Sequence, residues 1–521
     1  MSARTPSSRK PQGGEKADAA AWLAVAAGTI GALMATLDTS IVNAALPTIQ
    51  GEIGASGSEG TWISTAYLVA EIIMIPLSGW LEKVFGLRSF LLVMTVLFVG
   101  FSMLCGVSGN LGTMIVGRVG QGFTGGAMIP TALSIVSTRL PPAQRPVGVA
   151  LFGLTAVLGP VLGPLIGGWL TENVSWHYSF FLNLPIGIGL VVLLLVGLPH
   201  KPAQLWRIAQ GDWLGIVGLA VGLGCLTIVL EEGQREQWFE SSFIVWFSVA
   251  SACGFVLIVI GQVTAREPVI DMSILFTRSF GSVFLMSFAI GGALYGILYL
   301  IPQFLSEVPH YNSEQSGYIV LISGIPTLAF MPFFPLLVRL LDIRVAIGFG
   351  ILCYAVSCFM ESGLTTEDAG QQFVASQLLR GVGQAFSLLF LNQAAATAVE
   401  RDKAEDASGL FNGARNLGGS FGLALISTLQ QRRDDFHNAR LEESVRANSV
   451  IVQDRIDAMV GSGGPEAMRL ALRGLKQMIG AQATVMTFSD LYLVFGWILL
   501  AVLPLVLFLR PSPKGGPVAM H

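Results

Sequence analysis

The chain has 521 residues, 53% of them hydrophobic and 12% charged, with a formal net charge of -3. That leaves too few charged side chains to wet a soluble globule of this size, so the chain belongs in a lipid bilayer, and no basic cluster suits nucleic acid. The 61 Gly and 24 Pro, many inside apolar runs, fit membrane helices, which tolerate both residues.

A hydrocarbon core of about 30 Å needs roughly 20 apolar helical residues. That ruler predicts an all-α polytopic membrane protein with transmembrane helices near 20-43, 61-80, 89-108, 111-137, 146-170, 178-198, 212-230, 243-263, 280-305, 317-341, 345-360, 373-399, 408-429 and 488-509. The first is long and lacks a small-residue cleavage site, so it reads as an anchor. Cys105, Cys225, Cys253, Cys353 and Cys358 all fall in apolar segments and read as packing residues, not metal ligands.

Lys and Arg in short loops favour the cytoplasm. They occupy the N-terminus (Arg4, Arg9, Lys10, Lys16) and then alternate connections: Lys83 with Arg88, Arg139 with Arg145, Lys201 with Arg207, Arg266 with Arg278, Arg339 with Arg344, Arg401 with Lys403, and Arg510 with Lys514. The intervening short loops hold only Arg235. Both termini are therefore expected on the cytoplasmic side. The long exterior connection 430-487 breaks at Gly461 to Pro465 into two helix-favouring stretches. It reads as an exterior helical hairpin, either a solvated loop or a docking surface for a partner.

Pro76, Gly79, Lys83 and Arg88 near the end of the second span are echoed by Pro332, Pro335, Arg339 and Arg344 near the end of the tenth. The echo suggests two related six-helix halves with two helices inserted between them, an architecture usual in secondary transporters. The expected division is a cytoplasmic tail 1-19, a first half 20-199, a linker with two extra helices 200-279, a second half 280-510 and a tail 511-521.

A charge near the bilayer centre is costly and is a functional candidate by default. Asp38 and Arg118 lie about six residues beyond their span centres on the exterior side, hence at one depth at about 1.5 Å per residue. They can pair, either as a proton-loading couple whose balance shifts with water access or as a static ion pair. Glu71 is a second protonatable group, a receptor for cationic substrates, or a neutral hydrogen-bonded carboxyl. Gly159, Gly163 and Gly167, interleaved with Pro160 and Pro164, make a strip for close helix approach; it reads as a sliding seam between halves or as ordinary packing. Met34, Asn43, Tyr67, Gln121, Tyr295, Tyr299, Gln384, Asn392, Phe411, Asn412 and Arg415 are candidates for lining one polyspecific cavity. Arg380 is the remaining intramembrane cation. No phosphate-cradling loop, His-Glu-x-x-His or Gly-x-Ser-x-Gly motif occurs, which argues against an ATP-driven pump and against an enzyme and leaves no expected cofactor or metal.

These motifs resemble the fourteen-span drug:proton antiporters of the major facilitator superfamily, in particular the EmrB-like multidrug exporters, across essentially the whole chain. Leu37, Asp38, Asn43 and Pro47 are similar to that branch's signature in the first span, whose acid is implicated in coupling. Arg118 with Gln121 and Gly122 resembles the superfamily motif linked to proton transfer, and the Gly159 to Gly167 run its antiporter motif. Trp176, Phe181, Asn183, Pro185 and Gly187 match another branch motif. Gly79 and Gly86 match the cytoplasmic loop motif, but Lys83 stands where aspartate is common and Val84 where a basic residue is common, a departure from the family's charge relay. The resemblance implies an inner-membrane, proton-coupled exporter of small amphipathic substrates by alternating access, with a periplasmic adaptor and an outer-membrane channel as partners through loop 430-487. Export of an endogenous metabolite, fatty acid or siderophore is the rival, and a non-transporting sensor or scaffold a remote one.

Overall fold

In lipid each segment must satisfy its own backbone hydrogen bonds, so apolar stretches of this length become helices. A computed structural model describes residues 17-265, 268-399, 403-445, 450-460 and 465-509; the expected tail cations, Arg266, Arg401 and the glycines at 461-464 lie outside them. Fourteen long helices follow in order: α1 Ala19–Ile53, α2 Trp62–Phe85, α3 Leu87–Gly106, α4 Leu111–Arg139, α5 Arg145–Asn173, α6 Asn183–Gly197, α7 Trp213–Glu232, α8 Ser242–Thr264, α9 Arg278–Glu307, α10 Ser313–Phe330, α11 Ile343–Glu361, α12 Phe373–Thr397, α13 Ala404–Ser444 and α14 Pro465–Val502.

Among the described residues, 12 helices are apolar and long enough to cross a membrane. The other two predicted spans fall on α4 and α13. Helix α4 is enclosed by α1, α2 and α3, with nearly every residue from Gly120 to Ser137 buried. A helix shielded from lipid can exchange leucine for glycine, threonine and arginine, which lowers its hydropathy without exposing it. Helix α13 falls short for the same reason: Asn412, Arg415, Asn416 and a run of glycines interrupt its apolar stretch, with Asn412 and Arg415 buried.

The pairings in the first six helices, α1 with α5 and α6, α2 with α4, and α3 with α4 and α6, recur in the last six as α9 with α13 and α14, α10 with α12, and α11 with α12 and α14. The two sets meet where α5 touches α10 and α12, and where α2 and α4 touch α13. Helices α7 and α8 pack on each other, and α7 reaches α2 and α13, one helix from each set. The described chain ends share one side of the bundle: Ala17 N–H donates to Gln144, and the carbonyl of Leu509 accepts from Arg344.

The sliding-seam reading of the glycine strip needs correction. The Gly159, Gly163 and Gly167 strip lies on α1, against Thr36, Ser40 and Ile41, and so is a seam inside the first set. The small hydroxyl side chains of Thr36 and Ser40 are what let the backbones approach. A neighbouring face of α5, not the strip itself, meets the other set, with Gly153 against Leu389. The connection 430-487, expected as a helical hairpin, is helical over most of its described length: α13 runs on to Ser444, a short helix spans Val450–Val460, and α14 starts at Pro465, so the two arms are continuations of the spans. No proline or glycine interrupts α13 between Gly422 and Ser444, so nothing stops that helix where its charged stretch begins. Arg433 and His437 of α13 both contact Asp490 of α14, each at 2.7 Å.

Candidate functional site

Glycines at 122 and 126 bring α4 against the backbone of α2 at Tyr67 and Glu71, which delivers the α4 side chains to the centre of the first six helices. There Asp38 is 1% exposed and Arg118 is fully buried. Arg118 Nη1 donates to Asp38 Oδ2 at 2.6 Å, and its Nε donates to the Ile63 carbonyl at 3.1 Å. The other carboxylate oxygen accepts from Gln121 Nε2 at 2.8 Å and Asn183 Nδ2 at 2.7 Å. The Tyr67 ring lies 4.2 Å below the guanidinium, and its hydroxyl donates to the Ala35 carbonyl. Three donors from α4 and α6 thus converge on one α1 carboxylate and occupy both of its oxygens.

This assembly redistributes the expected roles. Gln121, a candidate cavity residue, has its amide committed to Asp38 and Arg118. Asn183 belongs to the site although residue patterns alone gave it no role; it stands at the first turn of α6, outside any intramembrane charge pattern. Glu71 is buried beneath, and the charges acting on it are Arg415 first, then Arg118 and Asp38. Arg415 is 2% exposed, and its Nε and Nη1 find no hydrogen-bond partner among the described residues.

Among the described residues, the expected lining residues are not gathered around one cavity. Met34 and Phe411 are buried in packing, and the amides of Asn392 and Asn412 donate to carbonyls one turn back, at Leu388 and Ser408. Asn43 is exposed and accepts from Ser64. Tyr299 lines a cavity of about 360 Å³ at the end away from the chain ends, with Gln303, Glu307 and Asp434, whereas Tyr295 packs on Gly419. Gln384 and Pro160 line a small central cavity described below. Pro164, beside the glycine strip, is half-buried.

On the side of the chain ends, Lys83 of α2 pairs with Asp406 of α13 at 3.2 Å, and Lys403 pairs with Asp271 at 2.6 Å. A charged bridge across the two sets therefore exists, with the cation on α2 and the acid on α13. Asp271 is pulled in two directions: partial burial raises its pKa, but hydrogen bonds from Lys403 and Ser273 outweigh it and leave the carboxyl below its usual range. Gly86 turns the chain at φ 76°, and Arg88 donates to the Leu198 carbonyl. Ser408 of α13 donates to the Pro130 carbonyl of α4 at 2.9 Å, closing this end between the sets. Among the described residues no group of three or more His, Cys, Asp and Glu could hold a metal ion.

A repeated pair of helix sets meeting at a central seam, with a buried ion pair inside one set, defines a secondary-transporter fold. The Major Facilitator Superfamily profile matches residues 28-423, and the chain belongs to that family. It is 32% identical over 497 residues to the colistin resistance protein EmrB of Acinetobacter baumannii, covering 95% of this chain and 97% of that protein. It is also 32% identical to the multidrug export protein EmrB of Escherichia coli K12, covering 94% and 95%. The fatty acid resistance protein FarB of Neisseria gonorrhoeae is 28% identical, covering 96% and 98%. Among solved structures, the proton:xylose symporter XylE superposes with a TM-score of 0.61 at 13% identity, covering 94% of this chain and 96% of that one. The human organic anion transporter MFSD10 gives 0.57 at 15%, covering 92% and 99%.

Proposed function

We propose that this protein is a proton-driven exporter of amphipathic, drug-like molecules, spanning the cell inner membrane fourteen times with both termini in the cytoplasm. The observation that carries the reading is Asp38, buried on α1 and held by Arg118, Gln121 and Asn183. A proton arriving on Asp38 cancels its charge and weakens the bond to Arg118, so α4 and α1 are released from one another. Losing the proton restores the bond. In alternating access the first half, 20-199, and the second, 280-510, rock about the seam of α5, α10 and α12, and the Lys83 to Asp406 bridge latches the cytoplasmic end. The names of the multidrug export and colistin resistance relatives support drug export.

Asp38→Asn is expected to abolish pH-driven transport of ethidium by purified protein in liposomes, while the variant still inserts. Pumping at the wild-type rate would refute the assignment. Arg415 favours a second reading, export of an amphipathic acid, because a buried guanidinium with free N–H groups suits a carboxylate; fatty acid resistance in one relative's name points the same way. A substrate screen in a deletion strain separates the two. The extended ends of α13 and α14 are the proposed contact for a periplasmic adaptor and, through it, an outer-membrane channel.

A further inference from the structure

The second six helices contain a buried polar cluster that this reading leaves idle. Glu361 ends α11, Arg380 lies on α12, and both are 2% exposed. Arg380 Nη2 pairs with Glu361 Oε2. Glu361 Oε1 accepts from the Ser376 hydroxyl at 2.7 Å and from Gln377 Nε2 at 3.2 Å. The titratable groups that face the pair are Tyr354 and Cys358 of α11 and Tyr492 of α14.

This cluster is built like the one around Asp38. Arg118 and Arg380 each lie seven residues into their helices, α4 and α12, which occupy matching places in the two sets. Each arginine has a carboxylate from a neighbouring helix, a glutamine of its own helix and a nearby tyrosine. The Tyr67 ring lies under Arg118, and Tyr354 lines a cavity with Arg380.

A purely structural ion pair would have its N–H groups satisfied, because each buried donor left alone is costly. Arg380 instead leaves Nε and Nη1 without partners among the described residues. The guanidinium lines a cavity of about 20 Å³ with Ser323, Tyr354, Gln377, Gln384 and, from the other set, Pro160 of α5. That volume holds about one water molecule where several polar atoms surround it. The cavity lies where α5 meets α10 and α12, so movement of the halves changes its access to water.

We propose that Glu361, poised on Arg380, is a second proton carrier that loads and unloads in the same cycle as Asp38, so that two protons drive each export step. The inference rests on the reading that the protein exchanges protons for substrate. The test is the ethidium gradient that proteoliposomes hold at a fixed pH gradient with the membrane potential clamped at zero. Two protons sustain about a hundredfold gradient per pH unit and one about tenfold. Wild type is expected at the higher value and Glu361→Gln at the lower. A tenfold wild-type gradient, or an unchanged gradient in Glu361→Gln, overturns the second carrier and leaves Asp38 in place. Undiminished pumping by Asp38→Asn instead overturns the exchange reading itself. Should Glu361→Gln not reconstitute, infrared spectra of Asp38→Asn and of Asp38→Asn with Glu361→Asp decide, recorded between about pH 5 and pH 8. A titrating carboxyl band that shifts with Glu361→Asp supports the carrier, and its absence or constancy refutes it.

Discussion

Asp38 spends its two oxygens on three donors, and the three are not equal. Arg118 supplies charge and Gln121 shares the same helix, but Asn183 reaches in from α6 and also donates to Ser102 of α3 at 2.9 Å. Replacing Asn183 with leucine removes one hydrogen bond to a charged group, typically about 1.5–3 kcal/mol. Liposome transport by Asn183→Leu should therefore fall roughly ten- to a hundredfold, with the variant still folded; transport within a factor of two would deny Asn183 a place in the site. The Asp38 and Arg118 encounter was legible from residue counting alone, because helices rise by a constant step per residue. Asn183 was not legible that way, since an uncharged amide inside the predicted span 178-198 carries no intramembrane charge to count. Glu361 escaped notice because it closes α11, where a carboxylate reads as solvated.

At the scale of the helix, the α5 glycines show how little tolerance the first set has. A side chain at Gly163 would run into Ser40 and the α1 backbone, and overpacking of this kind costs about 1–3 kcal/mol. Gly163→Val should lower the melting temperature of the purified protein, and Gly168→Ala, where a Cβ meets nothing within 4 Å, should not. An unchanged melting temperature for Gly163→Val would mean that α1 and α5 are not held this closely. The spacing of those glycines predicted a contact strip but not its partner. Small residues mark where helices approach, and only the matching face, here Thr36 and Ser40, says which helix approaches. The far ends of α13 and α14 were legible as helix but not as continuations of the spans, for a related reason: charge lowers hydropathy, but a helix stops only where its backbone is given a cause to stop.

For the molecule as a whole, the bridges on the side of the chain ends tie the two sets together through Lys83 and Asp406. Lys83→Glu sets two carboxylates against each other and should slow transport several-fold; adding Asp406→Lys should restore most of it. Failure of the double variant to recover would remove the bridge from the cycle. The companion contribution of Asp271 has a definite sign: with its folded pKa below the ordinary value of 3.8, its stabilisation is present at neutral pH and disappears only on acidification through that lowered pKa. Removing residues 441-475 trims the outward ends of α13 and α14 together. This should spare transport in liposomes but weaken drug resistance in cells, and undiminished resistance would exclude an adaptor contact there.

The pair α7 and α8 carries one more implication. Thr65 of α2 donates to Glu232 at the end of α7 at 2.9 Å, Arg235 joins Glu232 and Thr61, and across the gap Gln234 meets Gln431 of α13 at 2.5 Å. So anchored to both sets, the pair stands as a side panel over one flank of the line along which they meet. On the reading that the protein exports amphipathic molecules, one reaching it sideways from the bilayer is expected on the other flank, where α5 runs beside α10.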